Sequence, residues 1–352
     1  MSDPTLSIER FSDLDLNDPF FDSLKREYAE FNTWFSSKAN EFAYTSRSED
    51  GTLDGFLYLK SESQAVQDVI PPLPATARLK IGTFKIVPRG TRLGERFVKK
   101  AFDHALADGI GEIYVTVFPH HVSLIDLLER YGFRQIGEKR GPNGTELVLL
   151  RNVFRSSGDV VRDYPLIPVR AGRHFLLSLY PEWHSRLLPD SILKSESASI
   201  ISDVSHTNSI HKIYLAAMRG VEQFIRGDTI IIYRTKDSAG PAHYRSVATS
   251  VCVVEELRNI SEFSSLESFL AYCHSYSVFT EDELRRFYRS RRYPWLIRFT
   301  YNLALRKRLT RQVLIDDVGL DPSVYWGVLQ ISPHHFSRIL ALAGHNEDSL
   351  IH

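Results

Sequence analysis

Apolar positions in the first half of the chain change period several times. From Phe20 the spacing is helical. Phe20, Leu24, Tyr28, Phe31 and Phe35 recur at helical intervals behind an Asp18–Pro19 start, which predicts one helix through "FFDSLKREYAEFNTWF". The period then drops to two. "EFAYTSR" and "GFLYLKSE" flank "SEDGTLD", and its Asp50–Gly51 pair suits the turn of an antiparallel hairpin. "VIPPLPATA" interrupts the pattern. Beyond it, "RLKIGTFKIVP" reads as a strand, Glu95 to Ala107 as a helix and "EIYVTVF" as a short buried strand. "VSLIDLLERYGF" reads as a helix stopped at Gly132, and "FRQIGEKRGPNGTELVLLRNV" as a hairpin turning at Asn143–Gly144. Strands alternating with helices give an α/β fold class for a first domain, residues 1–154.

The polar, aperiodic stretch "RSSGDVVRDYPLIPVR" reads as a linker over residues 155–170. After it the pattern turns β-rich. "HFLLSL", "DTIIIYRT" and "SVATSVCVVEEL" are apolar runs with short helical pieces between and after them. They predict a small β-barrel decorated by helices over residues 171–345, with residues 346–352 as a tail.

Composition adds little to this picture but excludes much. The 352 residues suffice for two domains, and 43% hydrophobic with 24% charged residues excludes a disordered chain. Formal net charge is zero, so any electrostatic function must come from local clustering. The two cysteines, Cys252 and Cys273, lie in apolar segments and read as buried free thiols; no metal site is expected. Met1 to Arg10 is charged and lacks an apolar core, and no apolar run approaches the roughly 20 residues of a membrane helix. A soluble, cytoplasmic protein is expected.

The candidate chemistry begins where a strand meets a helix, at Arg89, Gly90, Thr91, Arg92, Leu93 and Gly94. A glycine-containing loop at a helix N-terminus turns backbone N–H groups and the helix dipole toward an anion. An ordinary strand-to-helix turn has the same outline. No Gly-Lys-Ser/Thr follows, which excludes a Walker loop, and three spaced glycines of a dinucleotide fingerprint are missing.

The order of elements around this loop narrows the choice. "VPRGTRLGERFVKKAF" and, further on, "LIDLLERYGFRQIGEK" together resemble the GNAT superfamily of acetyl-CoA-dependent N-acetyltransferases over residues 18 to 152. The resemblance implies acetyl-CoA as cofactor. It places the pyrophosphate on the backbone of Arg89 to Gly94 and the pantetheine arm along Phe84, Lys85, Ile86 and Val87. Arg92 stands at the family's middle glycine, which a negative φ there would accommodate. Acetyl transfer needs a deprotonated amine and a protonated leaving thiolate. The family's tyrosine for the second task falls at Leu128, so Tyr131, one helix turn on, is the substitute. His120 and His121 are candidate acids or bases; Tyr131 as a packing residue and exposed histidines are the plainer readings. The strand "KIGTFKI" offers no acidic base.

In the second half, "HFLLSLYPEWHSRLLPDS", "FIRGDTIIIYRT" and "ATSVCVVEEL" resemble ASCH and related PUA-like domains over residues 172 to 343, through Ser178, Pro181, Trp183, Gly227 and Asp228. That resemblance implies an RNA-binding cleft at Trp183. Lys194 and Glu196 do not have the spacing of the ASCH amidohydrolases. Arg285 to Arg311 holds ten Lys or Arg residues and no Asp or Glu, with six interleaved aromatics. Arg291, Arg292, Arg306 and Arg308 are candidates to grip phosphates, and aromatic faces such as Trp295 to stack bases. The alternative is that the aromatics are core and the arginines pair with acids. Arg234, Lys236 and Arg245, in a polar loop between strands, are further candidate contacts. The leading expectation is an N-acetyltransferase acting on an RNA-linked amine such as aminoacyl-tRNA, similar to toxin components that have an antitoxin partner. A regulatory protein that binds acetyl-CoA and nucleic acid without turnover is the alternative, and a protein N-acetyltransferase the third.

Overall fold

The computed structural model describes residues 6–48, 50–88, 92–169, 172–188, 209–236 and 242–345. The chain divides into two compact units, Met1–Val153 and Phe154–His352.

The first unit is built on seven strands: β1 (Leu6–Arg10), β2 (Phe42–Arg47), β3 (Leu53–Glu62), β4 (Arg78–Ile86), β5 (Glu112–Val117), β6 (Arg134–Gly141) and β7 (Gly144–Asn152). Their order in the sheet is β1-β2-β3-β4-β5-β7-β6. The central pair β4/β5 is parallel, and every other pair is antiparallel. Helices α3 (Leu93–Ala107) and α4 (Val122–Arg130) make the crossover and the return. The predicted first helix is not continuous. Asp18 accepts the Phe20 N–H at 2.8 Å ahead of a 3-10 turn, Pro19–Phe21, and the chain then forms α1 (Asp22–Glu27) and α2 (Phe31–Ser37). The break falls at Tyr28, whose backbone is extended (φ −123°, ψ 104°). Its side chain is drawn elsewhere: the hydroxyl donates to Glu146 at 2.8 Å and the ring lies 5.3 Å from Phe118. An aromatic cluster of Phe11, Phe21, Phe35 and Phe56 fastens these helices to the sheet.

In the second unit the strands are β8 (His174–Leu179), β9 (His211–Ala216), β10 (Thr229–Arg234), β11 (Val247–Asn259), β12 (Trp295–Thr310) and β13 (Val328–Ile331). Their order is β13-β8-β10-β11-β12-β9, with only β8/β10 parallel. The helices are α5 (Pro181–Leu187), α6 (Ala242–Arg245), α7 (Leu266–His274), α8 (Glu281–Ser290), α9 (Arg311–Asp316) and α10 (Pro333–Leu342). The expected closed barrel is a correction: among the described residues no ladder joins β13 to β9, and the sheet is open. Both faces are covered instead. Phe175, Leu177, Ile230 and Ile232 enter one core, while Leu176, Ile231 and Tyr233, offset by one, enter another. A strand buried on both faces has no polar side to alternate with, which is why these segments are continuous apolar runs.

The stretch read as a linker is part of this unit. Asp163 accepts hydrogen bonds from Ser156, Ser157 and the Gly158 N–H. Tyr164, Ile167 and Val169 are buried, and Asn302 donates to the carbonyls of Pro165 and Leu166. Cys252 and Cys273 are free and buried, and burial pushes both thiols up. No helix among the described residues is long and apolar enough to cross a membrane.

Candidate active site

The parallel ladder of β4 and β5 is short. It runs from Arg78 opposite Glu112 to Ile81 opposite Val115 and stops, although β4 continues to Ile86 and β5 to Val117. β3 stays paired with β4 throughout, so beyond Ile81, among the described residues, one edge of β4 has no strand against it. The divergence begins at a bulge where Tyr58 lies opposite Thr83 and Leu59 opposite Ile81, leaving Gly82 unmatched. A Cβ at Gly82 would sit 2.6 Å from Cδ1 of Tyr58, a buried ring, so only glycine fits the bulge as built.

A cavity of about 260 Å³ fills the gap. Its walls are Ile81 to Phe84 of β4, Val115 to Val117 of β5 with Phe118 just beyond, Glu27, Tyr28, Glu30 and Phe31 at the α1/α2 break, and Asn143, Gly144 and Glu146 from the β6/β7 hairpin. Glu146 is buried and accepts from the Tyr28 hydroxyl. Burial first, and then the Glu146 carboxylate, hold Tyr28 protonated by raising its pKa. Glu27 accepts from His120 Nε2 at 3.2 Å and His121 Nε2 at 3.0 Å. Partial burial works to raise its pKa, but the hydrogen bonds from the two histidines prevail and lower it. Lys80, also on the wall, is pushed down by burial against the opposing pull of Glu62.

The sequence candidates fare differently. Phe84 lines the cavity and meets Phe97 edge-on at 5.5 Å. Lys85 turns its ammonium to the Phe20 carbonyl and Ser23, so only its backbone is left for a ligand. Ile86 ends β4, and the Val87 N–H donates to Asp54 at 2.8 Å. Arg89, Gly90 and Thr91 lie outside the described residues. Arg92 has φ −88°, a value open to any residue, and pairs with Glu95 at 3.2 Å. Leu93 and Gly94 are buried in the first turn of α3. A Cβ at Gly94 would come within 2.8 Å of Leu127 Cδ2, so this glycine serves the approach of α3 to α4. His121 is on the cavity wall, whereas His120 is mostly exposed and stacked on Phe118. Tyr131 is fully buried and is not among the residues lining the cavity, which does not suit it to meet a thiolate there. Sequence reasoning missed Glu27, Tyr28, Lys80 and Glu146. It sought a carboxylate on β4, and the carboxylates come from α1 and β7.

The second unit places its candidates less favourably for a ligand. Arg234 is buried at the end of β10, a correction to its expected role at a surface. Lys236 is exposed, Arg245 is half-buried on α6, and Lys194 and Glu196 lie outside the described residues. Trp183 is half-buried against Phe279 at 4.9 Å, with the Arg186 guanidinium over it. The basic stretch is the end of α8, a left-handed turn at Arg291 (φ 50°) and all of β12. Arg285 pairs with Glu281, Arg298 with Glu255, and Arg291 donates to the Ile260 carbonyl at 2.6 Å. Phe299 and Tyr301 are core, and Arg308 is half-buried. Arg286, Arg289, Arg292, Arg306 and Lys307 remain exposed. Ser178 donates to the Trp326 carbonyl at 2.6 Å, and Asp228 pairs with Arg173, both internal tasks.

No protein-family model matches the chain, and neither does any curated protein. Among solved structures it is similar to an N-acetyltransferase from Staphylococcus aureus, at 11% identity over 43% of this chain and 99% of that one (TM-score 0.33). It is similar to a GNAT superfamily phosphinothricin acetyltransferase from Sinorhizobium meliloti in complex with acetyl-CoA, at 16% identity over 47% and 98% (TM-score 0.32). It is also similar to a mutant ASCH protein from Zymomonas mobilis, at 11% identity over 50% and 99% (TM-score 0.32). These are likenesses at low identity, each over half of the chain or less.

Proposed function

We propose that the first unit is an acetyl-CoA-dependent N-acetyltransferase. The observation that carries this reading is the free edge of β4 beyond Ile81, which opens on the cavity and leads toward the N-terminus of α3. An extended amide-bearing arm can add to a free strand edge, as a further strand would. A diphosphate suits the helix start that follows it. The acceptor amine takes the cavity. Glu146, anchored by Tyr28, attracts an ammonium group and takes its proton; the neutral amine attacks the thioester carbonyl, the carbon–sulfur bond breaks, and the proton that the nitrogen sheds as the amide forms passes to the departing coenzyme A thiolate. Positioning of the two reactants supplies much of the remaining rate.

The finer reading is that the acceptor amine is carried on RNA, such as an aminoacyl-tRNA, bound by the second unit. It is supported by the exposed Arg286, Arg289, Arg292, Arg306 and Lys307. One experiment separates the readings: incubate the full chain with labelled acetyl-CoA and with total RNA and protein, then follow the label by mass analysis. Acetyl groups on RNA support the finer reading, and acetyl groups on protein replace it with a protein acceptor. Tight acetyl-CoA binding by calorimetry without transfer would leave a regulatory protein, and no binding would remove the acetyltransferase reading altogether.

A further inference from the structure

Glu27, His120 and His121 converge beside the cavity. Glu27 ends α1, and the histidines occupy the turn between β5 and α4. That turn is fixed. The His121 N–H donates to the Phe118 carbonyl at 3.0 Å, and the His121 carbonyl accepts from Leu124 and Ile125. The His120 ring lies nearly parallel to Phe118, 5.5 Å away. Both Nε2 atoms face one carboxylate, His120 at 3.2 Å from Oε1 and His121 at 3.0 Å from Oε2. The donor atoms of all three residues lie within 4.8 Å of one another.

A carboxylate only accepts hydrogen bonds, so in this arrangement each Nε2 carries a hydrogen and has no lone pair to offer a substrate. One ion in place of those two hydrogens would find two imidazole nitrogens and a carboxylate already facing it. Zinc binds such ligands at about 2.0–2.1 Å, which in a tetrahedron sets neighbouring donors about 3.3 Å apart. The two imidazole-to-carboxylate separations, 3.2 Å to one oxygen and 3.0 Å to the other, are within a few tenths of an ångström of that, and the whole donor set lies within 4.8 Å, so a short side-chain adjustment would bring all three onto one ion. We propose that Glu27, His120 and His121 form a binding site for a divalent transition-metal ion of the zinc class, with its remaining position open to the cavity. Two imidazoles select such an ion over magnesium or calcium, which prefer oxygen alone. The ion has access, since the His120 and His121 side chains are 61% and 39% exposed. The inference does not depend on acetyl transfer, although a bound ion would occupy His121 and Glu27 on the wall assigned to the acceptor.

The test is direct metal titration of the full chain: zinc by calorimetry, and cobalt(II) by its visible absorption. One equivalent is expected to bind. Glu27→Gln and His121→Gln should each weaken binding at least ~10-fold, the lower end of what even outer-shell changes cost. His120→Gln, at a mostly exposed ring, gives an independent variant that should fold unaided. The other adjacent pair, His334 and His335 on α10, is the control: His334→Gln/His335→Gln should leave the stoichiometry and affinity unchanged. Circular dichroism checks the fold of each variant. The inference is overturned if the wild type takes up no ion, if the Glu27 and His121 variants bind as tightly as the wild type, or if magnesium competes on equal terms.

Discussion

His184 makes the second unit sensitive to acid. The residue lies on α5, fully buried, with Nε2 2.8 Å from the Thr249 hydroxyl. Burial first, and then the positive charges of Arg234 and Arg308, push its pKa from 6.5 down to about 3. The unfolded chain therefore takes up this proton near pH 6.5, and the folded chain only near pH 3. Between those values the unfolded state binds more protons, so stability falls as the pH falls. Each pH unit inside the window costs about 1.36 kcal/mol, so going from neutrality to pH 4.5 should remove roughly 2.5 kcal/mol through this one group. His184→Gln keeps an N–H for Thr249 but has nothing to titrate. Urea unfolding of the full chain, followed by circular dichroism from pH 7 to 4.5, gives the comparison. Other buried histidines, such as His174, act in both proteins, so the difference between wild type and variant isolates His184. The gap between the two stability curves should close, and then favour the variant, as the pH drops. Parallel curves would refute the reasoning and mean that His184 accepts its proton within the fold.

Three further outcomes are expected. Gly82→Ala drives a Cβ into the Tyr58 ring and should cost about 1–3 kcal/mol in a urea melt, the usual range for overpacking; unchanged stability would mean the bulge has room to relax. Glu146→Gln should slow single-turnover acetyl transfer roughly 100- to 10,000-fold while acetyl-CoA affinity is kept; full rate would take the proton-accepting role from Glu146. Changing Arg286, Arg289, Arg292 and Arg306 to Gln should weaken RNA binding and flatten its salt dependence by roughly 0.7 log units per lost phosphate contact; an unchanged slope in a filter-binding assay would remove these residues from the interface.

The first unit was legible because its signals are local. Helical spacing in "LIDLLERYGF" and a hairpin turn depend only on near neighbours; α4 formed where expected, and the β6/β7 hairpin formed with its turn one residue earlier than read, at Pro142–Asn143, because Gly144 already pairs with Gly141. The break at Tyr28 was not legible, since its cause is Glu146, 118 residues away along the chain. The same distance hid the cavity. Nothing in the sequence singles out Glu27, which folding brings to His120 and His121. In the second unit composition alone did not show which of the basic residues reach the surface. Read as one segment it is a strip of cations, but it spans a helix end, a turn and a strand, and each places its arginines differently. Charges along α8 also follow its dipole, with Glu281, Asp282 and Glu283 in the first turn and Arg289 in the last, an arrangement that stabilises the helix without any partner.

The residues that carry the chain from the first unit into the second have a bearing on how such a protein could be assembled or dismantled. Tyr164, Ile167 and Val169 are interior groups of the downstream half, and Asn302 grips the backbone between them. A gene rearrangement joining the downstream half to some other module at Arg170 would strip it of three large apolar side chains and leave the Asn302 amide without acceptors. The boundary between the two compact units falls earlier, between Val153 and Phe154, so a rearrangement that keeps the downstream half whole would join it there rather than after the Pro-containing stretch that composition marks as loose.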